Sequence, residues 1–139
     1  MRYVAATGEV ALLEHTLEPG VLGMPPHRHT REDALIYVLE GTLTVWEEGA
    51  TRTFRPGQVV AQPRGRWHTF WNAPPEPVRF LEVISPPAFA DYFRELERIL
   101  AEPGPPNWGS LAGLEARYGL EMDHATEEAL EVAHGLQLG

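Results

Sequence analysis

The sequence contains no cysteine. A disulfide framework, a thiolate metal site, an iron–sulfur cluster and a cysteine nucleophile are therefore all excluded. Lysine is also absent, and all eleven cations are arginine. Without lysine there is no Schiff-base chemistry, and no phosphate loop with its usual lysine. Serine occurs only at Ser85 and Ser110, neither in a G-x-S-x-G setting, so a serine hydrolase is not indicated. Apolar runs last only a few residues, which leaves no membrane span, and the opening Met1-Arg2-Tyr3-Val4 lacks the stretch of a signal peptide. The expected location is cytoplasmic. The net charge of −9, with no basic cluster, argues against nucleic acid and anionic membrane as partners.

What is present suits one compact domain. The 139 residues can bury a core without staples, and 43% of them are hydrophobic. Thirteen glycines and thirteen prolines punctuate short elements. Apolar residues alternate over Val10–Leu17, Ala34–Leu39, Leu43–Trp46, Thr51–Phe54, Val59–Gln62, Trp67–Trp71 and Val78–Ile84, each stretch closed by a turn signal. Short strands so regularly spaced predict an antiparallel sandwich or barrel. The period then changes. Phe89, Tyr92, Phe93, Leu96, Ile99 and Leu100 mark one face of an amphipathic helix. Further helices are expected over Leu111–Tyr118, with Ser110 as N-cap, and over about Ala125–His134, stopped by Gly135. The expected division is a β-barrel over 1–87 and a helical extension over 88–139, packed on the barrel in the same domain.

Three of the six histidines stand out. In His27-Arg28-His29 the two imidazoles share one face of a strand, ~7 Å apart along it, and converge on one ion if the strand curves. The bland alternative is a pair of exposed strand histidines. The stretch Gly57 to Asn72 adds His68 on a returning strand, in the pattern G(x)5PxG(x)2H(x)3N. His68, Phe70 and Asn72 then lie on one face. His15, His124 and His134 read as solvated or structural.

These two motifs resemble those of the cupin superfamily, specifically small single-barrel cupins. The resemblance covers about residues 10–86, and the tail is similar to the helical extension of cupins that resemble quercetin dioxygenase. It implies an all-β, double-stranded β-helix (jelly-roll) barrel with a short C-terminal helical extension. It also implies a divalent metal held by His27, His29 and His68. In the family a glutamate completes the set, but counting back from Gly41 lands on Ala34. Asp33 is one residue off and reaches inward only through a bulge; Glu32 is its neighbour. Three imidazoles suit iron, zinc, nickel or copper, and manganese remains an option by the resemblance. Ile36, Val38 and Phe70 are expected to line an apolar pocket for a small molecule, with Trp46, Trp67 and Trp71 as pocket wall or packing. Arg28, Arg64 and Arg66 are either surface residues or a lure for an anionic substituent. The most concrete function is O₂-dependent, dioxygenase-like oxidation of a small organic or aromatic substrate. The alternatives are a ligand-binding barrel without catalysis and an isomerase, which needs an acid–base partner not evident in the sequence. A homodimer is the expected assembly.

Overall fold

The computed structural model describes residues Met1–Gly139 and consists mostly of strands. They are β1 (Arg2–Ala6), β2 (Ala11–Leu17), β3 (Val21–Leu22), β4 (His27–His29), β5 (Asp33–Glu40), β6 (Leu43–Glu47), β7 (Ala50–Phe54), β8 (Val59–Gln62), β9 (His68–Trp71) and β10 (Val78–Ser85). One sheet runs β1-β2-β10-β5-β8. The second is built on β9, which pairs with β3, β4 and β6, while β7 hangs on β6. Alternation dictates what goes inside. Along β5, Ala34, Ile36 and Val38 are buried while Leu35 and Tyr37 face out. Between the sheets, Ile36, Val38, Val60 and Phe80 from one meet Leu43, Val45 and Phe70 from the other in a single apolar cluster. Gly41 shows why the turns need glycine. Its φ is 76°, and a Cβ there would strike the Pro77 carbonyl oxygen.

The tail departs from the expectation of helices alone. Helix α1 (Ala90–Leu100) follows a short 3₁₀ turn at Pro87–Phe89. Helix α2 is Trp108–Arg117, three residues earlier than predicted, because Asn107 and not Ser110 caps it: the Asn107 side chain accepts from the Ser110 amide. Helix α3 is His124–His134, capped by Asp123 and closed by Gly135 with φ 64°. Two short strands lie between and after these helices, β11 (Leu120–Met122) and β12 (Gln137–Leu138). Strand β11 pairs with β4, setting Leu120 opposite His29 and Met122 opposite His27. Strand β12 runs parallel to β3. Strands so short have no visible period, and their place is fixed by the barrel edges they cover. The tail also buries Phe89, Tyr92 and Leu114 against Ala11, Ala34 and Ile84. On the other side, Leu130 and Leu136 pack on Leu22 and Trp71, with Trp46 beside them. Trp71 and Trp46 thus serve packing against the tail, and Trp67 lies under the Arg28 guanidinium at 4.9 Å. No helix is long and apolar enough to cross a membrane.

Candidate metal centre

Strands β4 and β9 are antiparallel neighbours with His27 directly opposite His68, and His29 lies one pleat further along β4. All three imidazoles are buried, and their ligand atoms lie within 4.8 Å of one another. Metal–nitrogen bonds of ~2 Å hold ligand nitrogens no more than ~4 Å apart, so an ion here would draw any wider pair together. The tautomers suit an ion. His27 Nδ1 lies 2.8 Å from the Pro25 carbonyl oxygen and His68 Nδ1 lies 3.2 Å from that of Arg66. A carbonyl only accepts, so both Nδ1 atoms carry the proton and both Nε2 lone pairs are free. Burial, reinforced by repulsion from His68 and His29, holds His27 well below the usual histidine value. Burial and His29 together bring His68 down to about 4. These two groups are therefore neutral at pH 7, the state that metal ligation requires.

The carboxylates divide. Asp33, the doubtful fourth ligand, turns outward and pairs with Arg64 at 2.9 Å with its side chain half exposed. No bulge occurs at that point of β5, so the parity of the strand carries Asp33 away from the histidines. Glu32 is buried, but its Oε2 lies 3.4 Å from His29 Nδ1 and not in the ligand cluster. The two atoms make no hydrogen bond. Ala34 faces inward as the spacing implied, and directly across from it on β8 stands Gln62. Gln62 is 2% exposed, and neither of its side-chain polar atoms has a partner.

A small cavity of about 40 Å³ opens beside His27 and His29. Of the predicted pocket residues, Phe70 lines it; Ile36 and Val38 do not, because they are fully buried in the apolar cluster beneath. The cavity contains two groups that sequence reasoning missed, His15 and Glu82. His15 Nε2 and Glu82 Oε1 are 2.9 Å apart, and both side chains are under 10% exposed. His15 is thus neither solvated nor incidental. Its ring stacks on Phe80 at 5.0 Å and meets Phe93 edge-on at 5.7 Å. Burial pushes the Glu82 carboxyl up, but the His15 hydrogen bond and the nearby imidazoles outweigh it, and the group is held below the usual carboxylate value. The signal that could have found the pair is parity. Ala11-Leu13-His15 and Phe80-Glu82-Ile84 place each ionisable group on the inward face of its strand. The arginines near the motifs are all engaged: Arg28 with Glu121, Arg64 with Asp33 and Arg66 with Glu47. None faces the cavity. His124 is exposed beside Glu127, and His134 packs on Trp71.

The cupin domain profile matches residues 13–84, more than half of the chain. The chain is a cupin. Solved structures agree. The cupin is similar to KdgF from Halomonas sp., with 28% identity and a TM-score of 0.57 over 61% of this chain and 76% of that one. It is similar to a sugar phosphate isomerase of the cupin superfamily from Silicibacter pomeroyi, with 29% identity and a TM-score of 0.53. There the match covers 55% of this chain and only 50% of the other. An RmlC-like cupin from Methanocaldococcus jannaschii, at 21% identity and a TM-score of 0.54 over 61% of this chain and 77% of that one, shares the double-stranded β-helix fold. No curated protein matches the sequence. The barrel of this cupin is accordingly a double-stranded β-helix, and its three clustered histidines could hold a metal ion.

Proposed function

We propose that this cupin moves a proton on a small oxygen-bearing substrate, as an isomerase or tautomerase does, with a divalent metal held by His27, His29 and His68. One observation carries the reading. The buried Glu82–His15 pair lines the same cavity as His27 and His29. A divalent ion at the three histidines supplies polarisation of a substrate carbonyl or hydroxyl oxygen. Glu82, kept ionised, accepts a proton from the carbon beside that oxygen, the C–H electron pair passes into an enolate, and the same carboxyl returns the proton to the neighbouring carbon. His15 donates to Glu82 and fixes the direction of its carboxylate. Phe70, Phe80 and Phe93 surround the His15 ring and exclude water from the pair. The relative named a sugar phosphate isomerase supports the same class of chemistry, although the match spans half of that chain. The expected homodimer finds support in the outer face of the five-stranded sheet, where Leu35, Tyr37 and Val59 are 50%, 45% and 53% exposed.

Solvent deuterium incorporation into a panel of small aldoses, ketoses and keto acids, followed by NMR on metal-loaded protein, tests the proposal. Exchange should occur with the wild type and fall ~10²–10⁴-fold in Glu82→Gln, with metal content unchanged. The dioxygenase expected from the three-histidine set would instead consume O₂ with a substrate. Oxygen uptake without exchange would therefore replace this reading, and binding with neither would favour the non-catalytic barrel.

A further inference from the structure

The cavity beside the histidines is too small for a whole substrate. At about 40 Å³ it falls far short of the ~300–1,000 Å³ of small-molecule sites. A second hollow of about 270 Å³ adjoins it. The two share a wall, since Gly23 and Met24 line both. Added to the inner cavity, this groove brings the combined space to the lower bound for a small-molecule site. Its far side comes from the tail: Leu96 and Leu100 of α1, Trp108 and Leu111 of α2, and Met122 of β11. Trp108 is 71% exposed and Leu100 is 55% exposed, so an apolar platform is left open at the mouth.

The shared wall is built to stay in place. The Met24 carbonyl accepts from the Thr69 hydroxyl at 2.6 Å, and the Gly23 amide donates to the Phe70 carbonyl at 2.9 Å. Any Cβ at position 23 would run into the Phe70 ring. The next residue, Pro25, also lines the groove, and its carbonyl receives the His27 Nδ1 hydrogen. Groove and histidine cluster are thus joined through three consecutive residues. The Met24 side chain, unbranched and with three rotatable bonds, is the adaptable part of the partition.

We propose that the groove is the outer half of the substrate site and takes the apolar body of an amphipathic substrate, whose oxygen-bearing head enters the histidine cavity past Met24. The proposal rests on the reading of that cavity as the active site, and it narrows the substrate class to compounds with a chelating oxygen head and a linear or aromatic apolar tail.

Chelating probes test this without knowledge of the substrate. Zinc-loaded protein is titrated calorimetrically with acetohydroxamate, which carries the head alone, with octanohydroxamate, which carries head and tail, and with 1-octanol, which carries the tail. Octanohydroxamate should bind ~tenfold or more tighter than acetohydroxamate, given the free energy of burying several methylenes. Trp108→Ala and Leu100→Ser, both at exposed positions, should each lower that ratio, and the double variant should bring it near one. Acetohydroxamate affinity and zinc content should stay the same. A wild-type ratio near one overturns the proposal, as does a ratio that survives both substitutions or zinc-loaded protein that binds no acetohydroxamate. Octanol bound as tightly as octanohydroxamate also overturns it, since the groove would then act apart from the histidines. If the ratio is near one and the sedimentation coefficient rises with protein concentration in the wild type but not in Trp108→Ala, the groove belongs to a second copy of the chain. The deuterium exchange of Glu82→Gln is a separate readout: its failure with the chain-length effect intact overturns the catalytic reading alone.

Discussion

The interior of the barrel has two halves with opposite chemistry. In one, Ile36, Val38, Leu43, Val45, Val60, Val78 and Phe80 fill the space with apolar groups that need no partner. In the other, His15, His27, His29, Glu32, Gln62, His68 and Glu82 are all under 8% exposed. Burying polar groups opposes folding unless they are paired, and several of these are not. His29 Nδ1, Glu32 Oε2 and both polar atoms of Gln62 have no hydrogen-bond partner. One half therefore holds the fold together, and the other half spends stability on a site. The two are contiguous through Phe70 and Phe80, which touch the apolar cluster on one side and the His15 ring on the other.

Substitutions on each side separate the two roles, and the largest effect is expected on the polar side. His27→Ala and His68→Ala should each abolish stoichiometric metal binding, read by elemental analysis of protein purified without a metal-affinity tag, while the circular dichroism of the strands persists. Retention of the metal after both changes would rule out this centre. On the apolar side, Phe80→Ala should cost ~3–5 kcal/mol in denaturant unfolding, because the fully buried ring leaves a cavity. An equal loss on the polar side, in His68→Leu, would erase the distinction between the halves.

The next effect is a pH dependence confined to the polar half. In the unfolded chain histidine protonates near ~6.5, whereas folded His68 protonates only at about 4. The unfolded state binds more protons between these values, so the stability of metal-free protein should fall as pH drops from ~6.5 to about 4, with the His68 contribution fully lost below that. The loss from His68 alone is of the order of 3 kcal/mol, with the depressed His27 acting in the same direction. Flat stability across that window, followed by urea unfolding, would contradict the burial of neutral imidazoles. The smallest effect concerns Gln62. Gln62→Met removes two unpartnered polar atoms at nearly constant volume and should raise the stability of metal-free protein by ~1 kcal/mol. A clear loss would mean that the amide is paired in solution.

Much of this was legible in the chain. The strands Val59–Gln62 and Val78–Ser85 lie where alternation put them, to within a residue, because a half-buried strand must alternate whatever it pairs with. The shared face of His27 and His29 was legible from spacing, since parity sends i and i+2 to one face, whereas His68 joined them through its own motif and the family that motif resembles. Asp33 illustrates the limit. One residue off the ligand position, it needed a bulge to turn inward, and the unbroken register of β5 against β8 and β10 points it at Arg64 instead.

By itself, then, the sequence determined the strands, their turns and the shared face of His27 and His29, because these depend on period and on local backbone demands such as the left-handed Gly41. Only the tertiary structure decided the rest. It brought His15 to Glu82 across 67 residues, laid β11 along the histidine strand and set the apolar groove against Met24. Those contacts join segments far apart in the chain, and no local period encodes them. They follow from which sheet edge and which inward face remain to be covered once the barrel has closed.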